Sequence, residues 1–217
     1  MRGGLGLDLK KWEKLIETQK TTGSGELEEK KVVETFEQVL CKFVKKEAYG
    51  LVLGATEKEL ESYKELGYLN FVGINLEGSA KIQKMDMHDL RFSDKQFDVV
   101  IARTTMEHAF APFLVFLEVR RVLKNKGYFV FTLQKFTRAN WYFEHCFLVT
   151  SEYAKEVLPK LFAFKVLYFQ EGRDEIIQVW KKDDSSNFMF CWPKKNSEDY
   201  NWIKNWSWKN ESEEEIK

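Results

Sequence analysis

Phe97-Asp-Val-Val-Ile-Ala102 is the stretch whose reading decides the fold. Apart from Asp98 it is continuously apolar and rich in β-branched residues, and it does not alternate. A strand of that kind is buried on both faces, as happens inside a parallel sheet covered by helices. Downstream, Pro112–Leu123 reads as a helix that opens with proline in its first turn. Lys124-Asn-Lys-Gly127 reads as a turn and Tyr128–Leu133 as the next strand. Upstream lie two strands, Ile82–Met85 and Asn70–Leu76. Before them comes a helix, Glu57–Leu66, stopped by Gly67 as a C-cap, and then the strand Gly50–Leu53, ended by Gly54.

Farther out, Ser151–Leu158 resembles a helix with a serine cap. Ala163–Gln170 and Glu175–Lys181 are strands joined in hairpin fashion through Glu171-Gly-Arg-Asp174. On the amino-terminal side, Glu26–Lys46 is a strongly amphipathic helix. Its apolar face is built from Val32, Val33, Phe36, Val39, Leu40 and Phe43. A shorter polar helix over residues 9–20 carries Trp12, Leu15 and Ile16, and Thr21–Gly25 is a break. Strands alternating with helices predict an α/β, doubly wound, mostly parallel seven-stranded sheet with right-handed crossovers and a closing β-hairpin. The expected organisation is an N-terminal segment over 1–25, a main domain over 26–182 and a C-terminal extension over 183–217. That extension contains Trp192, Trp202, Trp206 and Trp208, ends in an acidic run, and is expected to dock on the domain or on a protein partner.

The composition supports a folded intracellular protein. Hydrophobic residues make up 44% and aromatics 15% of the 217-residue chain, enough for a sizeable core. Lys+Arg and Asp+Glu are both 34, so no electrostatic footprint for nucleic acid or anionic membrane is expected. Cys41, Cys146 and Cys191 are scattered, and His88, His108 and His145 do not sit at zinc-site spacing, so neither a disulfide framework nor a metal is expected. Met1–Leu9 lacks the apolar run of a signal peptide, and no stretch has a membrane span's length. The expected location is cytoplasmic.

Three segments carry a resemblance to a known family. Asp86-Met-His-Asp-Leu-Arg-Phe-Ser-Asp-Lys-Gln-Phe-Asp-Val-Val100 is similar to the D-x-x-D-L-P-F-x-D-x-x-F-D-V-V stretch of the class I S-adenosylmethionine-dependent methyltransferases, with Arg91 at the proline position. Met106-Glu-His108 resembles their L-E-H. Glu118-Val-Arg-Arg-Val-Leu-Lys-Asn-Lys-Gly-Tyr-Phe-Val130 resembles their E-x-x-R-V-L-K-P-G-G-x-x-V. The resemblance implies a Rossmann-like sheet that binds S-adenosylmethionine over the carboxyl ends of its first strands.

Carried over position by position, the resemblance implies a cofactor site of Gly54, Ala55, Asn75, Leu76, Asp86, Met87 and Arg103. Gly54 matches the first loop glycine, while Thr56 and Glu57 stand where further glycines are usual. Asn75 stands where an acid accepts the ribose hydroxyls, and Glu77 is its substitute. Asp86 stands where an acid meets the adenine amine. A helix common between the second and third strands is reduced to a few residues. Acceptor-side groups fall after the fourth and fifth strands. Glu107, His108 and His145 are the catalytic candidates there, among Arg138, Trp141, Tyr142 and Glu144.

The implied function is methyl transfer to a small-molecule acceptor. The altered glycine loop supports the alternative, a catalytically inactive methyltransferase-like scaffold or regulatory subunit. A nicotinamide dehydrogenase would need G-x-G-x-x-G where Gly54-Ala-Thr-Glu-Lys-Glu59 stands. Arg103-Thr-Thr-Met106 stands where amino-directed nucleic-acid methylases carry an N/D-P-P-Y/F/W motif, which disfavours that chemistry.

Overall fold

The structure, a computed structural model, describes residues 36–137 and 145–184. The expectations for residues 1–35, for Arg138, Trp141, Tyr142 and Glu144, and for the tryptophans of the C-terminal extension lie outside the described residues. The elements are helix α1 over residues 36–43, β1 Gly50–Leu53, α2 Glu57–Glu65, β2 Phe71–Asn75, β3 Ile82–Lys84, β4 Phe97–Ala102, α3 Pro112–Val122, β5 Leu123–Gln134, α4 Leu158–Leu161, β6 Phe164–Glu171 and β7 Glu175–Lys182. A 3-10 turn, Met106–His108, follows β4, and a π-helical turn, Tyr153–Val157, leads into α4.

The seven strands form one sheet in the order β3-β2-β1-β4-β5-β7-β6. β1 through β5 are parallel, and β7 runs antiparallel between β5 and β6. The expected doubly wound sheet with a closing hairpin is therefore what the chain forms. The strand order reverses at β1, where β1 lies between β2 and β4 with Leu51 opposite Val72 on one side and Val100 on the other.

Strand alternation sorts the core into two layers. Val100, Ala102, Phe129, Phe131 and Trp180 face α3 and the segment leading into β6. Phe129 and Phe131 stack at 4.1 Å, and Trp180 meets Phe131 edge-on at 4.7 Å. Val52, Val99, Ile101, Val130 and Val179 face the other way, against Phe36, Val39 and Leu40 of α1 and Tyr63 of α2. Complete burial of each such side chain stabilises by about 1.5–3 kcal/mol, and Phe97–Ala102 contributes to both layers as its pattern requires.

Three expectations need correction. The amphipathic helix ends at residue 43 and not at Lys46. The turn Lys124–Gly127 does not precede β5 but bulges out of it. Phe97 pairs with Leu123, and Val99 already pairs with Tyr128. Lys126 takes a left-handed φ of 64° in that bulge, and a Cβ on Gly127 would lie 2.9 Å from Lys124 O and 3.1 Å from Asp98 O. The helical segment after residue 150 is capped by Thr150, whose Oγ1 accepts from Tyr153 N at 3.2 Å, and not by Ser151.

Candidate functional site

The carboxyl ends of β1, β2, β3 and β4 converge on one edge of the sheet, and the loops leaving them carry the cofactor residues expected from sequence. After β1 the backbone turns through Gly54, whose φ is +64°. Ala55 is buried and its N–H donates to Ile74 O at 2.9 Å, which ties this loop to β2. Thr56 is the N-cap of α2, its side chain accepting from Glu59 N at 3.1 Å. Glu57 and Glu59 in the first turn complement the positive end of the helix. The residues that replace the usual glycines thus build a capped helix start, a signal readable as T-x-x-E.

Asn75 closes β2 and works as a staple. Its Nδ2 donates to Ala55 O at 2.9 Å, and its Oδ1 accepts from Glu77 N at 3.0 Å and Gly78 N at 2.6 Å. With both lone pairs of Oδ1 accepting, one side-chain N–H remains to meet a ligand. Leu76 is half-buried and Glu77 is exposed at the rim. Residues 76–81 return the chain to β3 without a helix. They can do so because β3 starts opposite Gly73, only part-way down β2. Glu57 accepts a hydrogen bond from Ser79 Oγ and Glu61 pairs with Lys81, so the acidic side of α2 clasps this connection.

After β3, Asp86 is one-quarter exposed at its side chain and is held by His88. Asp86 Oδ1 accepts from His88 N at 2.9 Å and lies 2.6 Å from His88 Nδ1. Ala111 N–H donates to His88 Nε2 at 3.4 Å, so the ring proton sits on Nδ1 and is donated to Asp86. His88 is buried against Phe110, at 4.4 Å between ring centroids. Sequence reasoning missed this partner, though the Asp-x-His spacing was its signal. Met87, beside it, is half-buried and packs on the core.

Beneath this loop, Glu118 of α3 is buried and accepts from Leu90 N at 2.8 Å. Arg121 grips both Glu118 oxygens at 2.8 Å and donates to Leu90 O and Phe92 O at 2.7 Å. Arg120 donates to Ala163 O at 2.7 Å and Asp183 O at 3.0 Å. Glu118, Arg120 and Arg121 thus fasten loops across the helix.

The β4 loop carries the acceptor-side candidates. Arg103 is half-buried, and Thr104 takes φ 43° with its N–H donated to Thr132 Oγ1 at 2.9 Å. Thr105 Oγ1 lies 2.8 Å from Arg103 O and 3.3 Å from Leu53 O, bridging β4 back to β1. Glu107 is 2% exposed. Burial pushes its carboxyl up to about 7, the nearby charge of Glu175 adds to the rise, and a hydrogen bond from Gln134 opposes it. Its Oε2 has no hydrogen-bond partner among the described residues.

The loop after β5 is pinned over this turn, because Cys146 N and Phe147 N both donate to Glu107 O at 2.7 and 3.0 Å. His145 is thereby delivered to His108, their rings 5.2 Å apart and edge to face. One ligand atom from each of Glu107, His108 and His145 lies within 4.8 Å of the others. Sequence spacing sets His108 and His145 far apart, and the fold brings them together. Gln134 and Glu175, missed from the sequence, come in from β5 and β7. Burial raises the carboxyl of Glu175 above its ordinary value, with the charge of Arg103 opposing the rise.

The fold is shared with known proteins. The methyltransferase-domain family matches residues 55–131. No curated protein matches the chain significantly. Among solved structures, the Burkholderia thailandensis 1,6-didemethyltoxoflavin-N1-methyltransferase, with bound 1,6-didemethyltoxoflavin and S-adenosylhomocysteine, superposes with a TM-score of 0.66 at 13% identity, over 81% of this chain and 90% of that one. The PH0226 protein from Pyrococcus horikoshii gives 0.57 at 22% identity, over 74% and 93%. The [4+2]-cyclase SpnF gives 0.59 at 13% identity, over 69% and 80%. No helix among the described residues is long and apolar enough to cross a membrane. The chain has the fold of the class I S-adenosylmethionine-dependent methyltransferases, and the family's methyltransferase domain matches its residues 55–131.

Proposed function

We propose that this chain binds S-adenosylmethionine at the carboxyl edge of β1–β4 and transfers its methyl group to a small-molecule acceptor. One observation carries the reading: at the point where strand order reverses, the loops of successive strands present Gly54, Asn75 with Glu77, and a pre-oriented Asp86 along one edge. The similar fold of the 1,6-didemethyltoxoflavin-N1-methyltransferase, which holds S-adenosylhomocysteine, supports it.

The residues present fit the adenosyl half of the cofactor best. Asp86, held by a buried imidazole, is fixed to accept from an adenine amine. Glu77 stands at the rim to accept from ribose hydroxyls, because Asn75 Oδ1 is spent on Glu77 N and Gly78 N. When bound, the cofactor supplies an electrophilic methyl on a good leaving group, so the protein's main task is proximity and alignment. On the acceptor side, Glu107, His108 and His145 present the groups able to take up a proton there.

A second reading, a non-catalytic scaffold, is favoured by the packing at Gly54, where Thr105 covers the side that lacks a side chain. Calorimetry separates the two. Methyl transfer expects S-adenosylmethionine and S-adenosylhomocysteine to bind with a Kd of about micromolar order. Absence of heat and of a thermal shift with both compounds overturns it in favour of the scaffold.

A further inference from the structure

We propose that Glu107, His108 and His145 form a binding site for a divalent transition-metal ion of the zinc type. The inference rests on the geometry of these side chains and does not depend on methyl transfer. A carboxylate oxygen and two imidazole nitrogens within 4.8 Å of one another are the donor set of a three-ligand zinc site. Imidazole and carboxylate ligands bond zinc at about 2.0–2.2 Å, so at tetrahedral angles the ligand atoms stand about 3.3–3.6 Å apart. With the ligand atoms within 4.8 Å, the gap left to close is at most about 1.2–1.5 Å, a distance that side-chain rotation can supply.

A second observation points to a ligand. Glu107 is 98% buried, from its 2% exposure, and its Oε2 lacks a hydrogen-bond partner among the described residues. A buried carboxylate oxygen left in this way is costly, and a bound cation would satisfy it. The other oxygen is steadied by Gln134, the outer-layer support that metal-binding carboxylates typically have. The site is also braced from the backbone. The Cys146 and Phe147 N–H groups on Glu107 O fix the loop that carries His145 against the turn that carries His108. Three protein ligands are one short of a tetrahedral set, so a fourth position would fall to water or to an oxygen of a small molecule.

The test uses the untagged full chain, stripped with a chelator and titrated calorimetrically with Zn2+, with Co2+ as a spectroscopic probe of the ligand set. The expected result is about one ion per chain with a Kd below about micromolar, and Co2+ absorption typical of nitrogen and oxygen ligands. H108Q and H145Q, on half-buried side chains, are each expected to weaken binding by at least about 10-fold. Both should keep the wild-type circular dichroism. E107Q should do the same; if it fails to fold, the two histidine variants still decide. The triple variant C41S/C146S/C191S should bind as wild type. Absence of stoichiometric binding, binding that survives both histidine substitutions, or binding that disappears with the cysteines overturns the proposal.

Discussion

Thr105 packs against the bare side of Gly54: a Cβ at residue 54 would lie 2.6 Å from Thr105 Oγ1 and 2.7 Å from its Cγ2. Gly54 also has a φ of +64°, so two separate demands fall on one residue. Alanine at a left-handed φ costs about 1–2 kcal/mol, and the overlap with Thr105 adds to it. G54A is expected to lower stability by about 2–4 kcal/mol. In a T105A background the overlap is gone and only the backbone strain remains, so the cost of G54A should fall to about 1–2 kcal/mol. Urea unfolding of the four proteins of this cycle measures the difference. An equal cost in both backgrounds would show that Thr105 does not press on Gly54.

The proposed cofactor site assigns Asn75 to hold the loop and Glu77 to meet the ribose. N75A removes the bond to Ala55 O and the acceptor for two backbone N–H groups. It should cost about 1–3 kcal/mol of stability. E77Q touches an exposed side chain and should leave the melting temperature within about a degree. Its effect should appear instead as about 10-fold weaker binding of S-adenosylhomocysteine by calorimetry, the loss of a charge-assisted bond. Unchanged affinity in E77Q would remove Glu77 from the ribose site.

β1, β2 and β4 were legible because each is a short apolar run, and buried parallel strands admit little else. What escaped the sequence depends on partners distant in the chain. Lys124–Gly127 has a turn's composition whether it precedes a strand or bulges from one; only pairing with Phe97 and Val99 decides. Thr56 looks like a lost glycine until the helix behind it is seen to need a cap. The polar look of Glu118 and Arg121 suggests solvent, because nothing local reveals that a loop from residues 90–94 lies over them. His145 meets His108 only through the backbone clamp at Glu107 O, which no spacing encodes.

The Glu118–Arg121 pair offers a test of that buried network. Both guanidinium edges are used, and Leu90 N adds a further bond to Glu118. E118A would leave the half-buried Arg121 and the Leu90 N–H without this carboxylate. Removing one member of such a buried pair costs about 3–5 kcal/mol. R121K keeps the charge but loses the fork geometry, and should still cost about 1–2 kcal/mol. Chemical denaturation of both variants checks the order; if R121K is as damaging as E118A, the planar grip matters more than the charge.

Lys182 makes stability depend on pH in the alkaline range. Its side chain is buried and its Nζ donates to Leu123 O at 2.8 Å. Burial lowers its pKa from the ordinary 10.5 to about 8, with the charge of Asp184 opposing the change. Below about pH 8 the ammonium is charged in both the folded and the unfolded chain, and the full cost of burying it is present. As pH climbs from about 8 toward 10.5, the folded chain releases this proton while the unfolded chain keeps it. The unfolded state then binds more protons, so this group's contribution to stability rises with pH through that window. K182M removes the titration, and it leaves Leu123 O without its bond at every pH, which is a constant offset. Relative to K182M, the wild type should therefore gain about 1 kcal/mol, or about 2–4 °C in Tm, between neutral and strongly alkaline pH. Thermal melts of the two proteins at both ends of the window measure it, and a gap that stays constant or narrows would show that Lys182 does not titrate inside the fold.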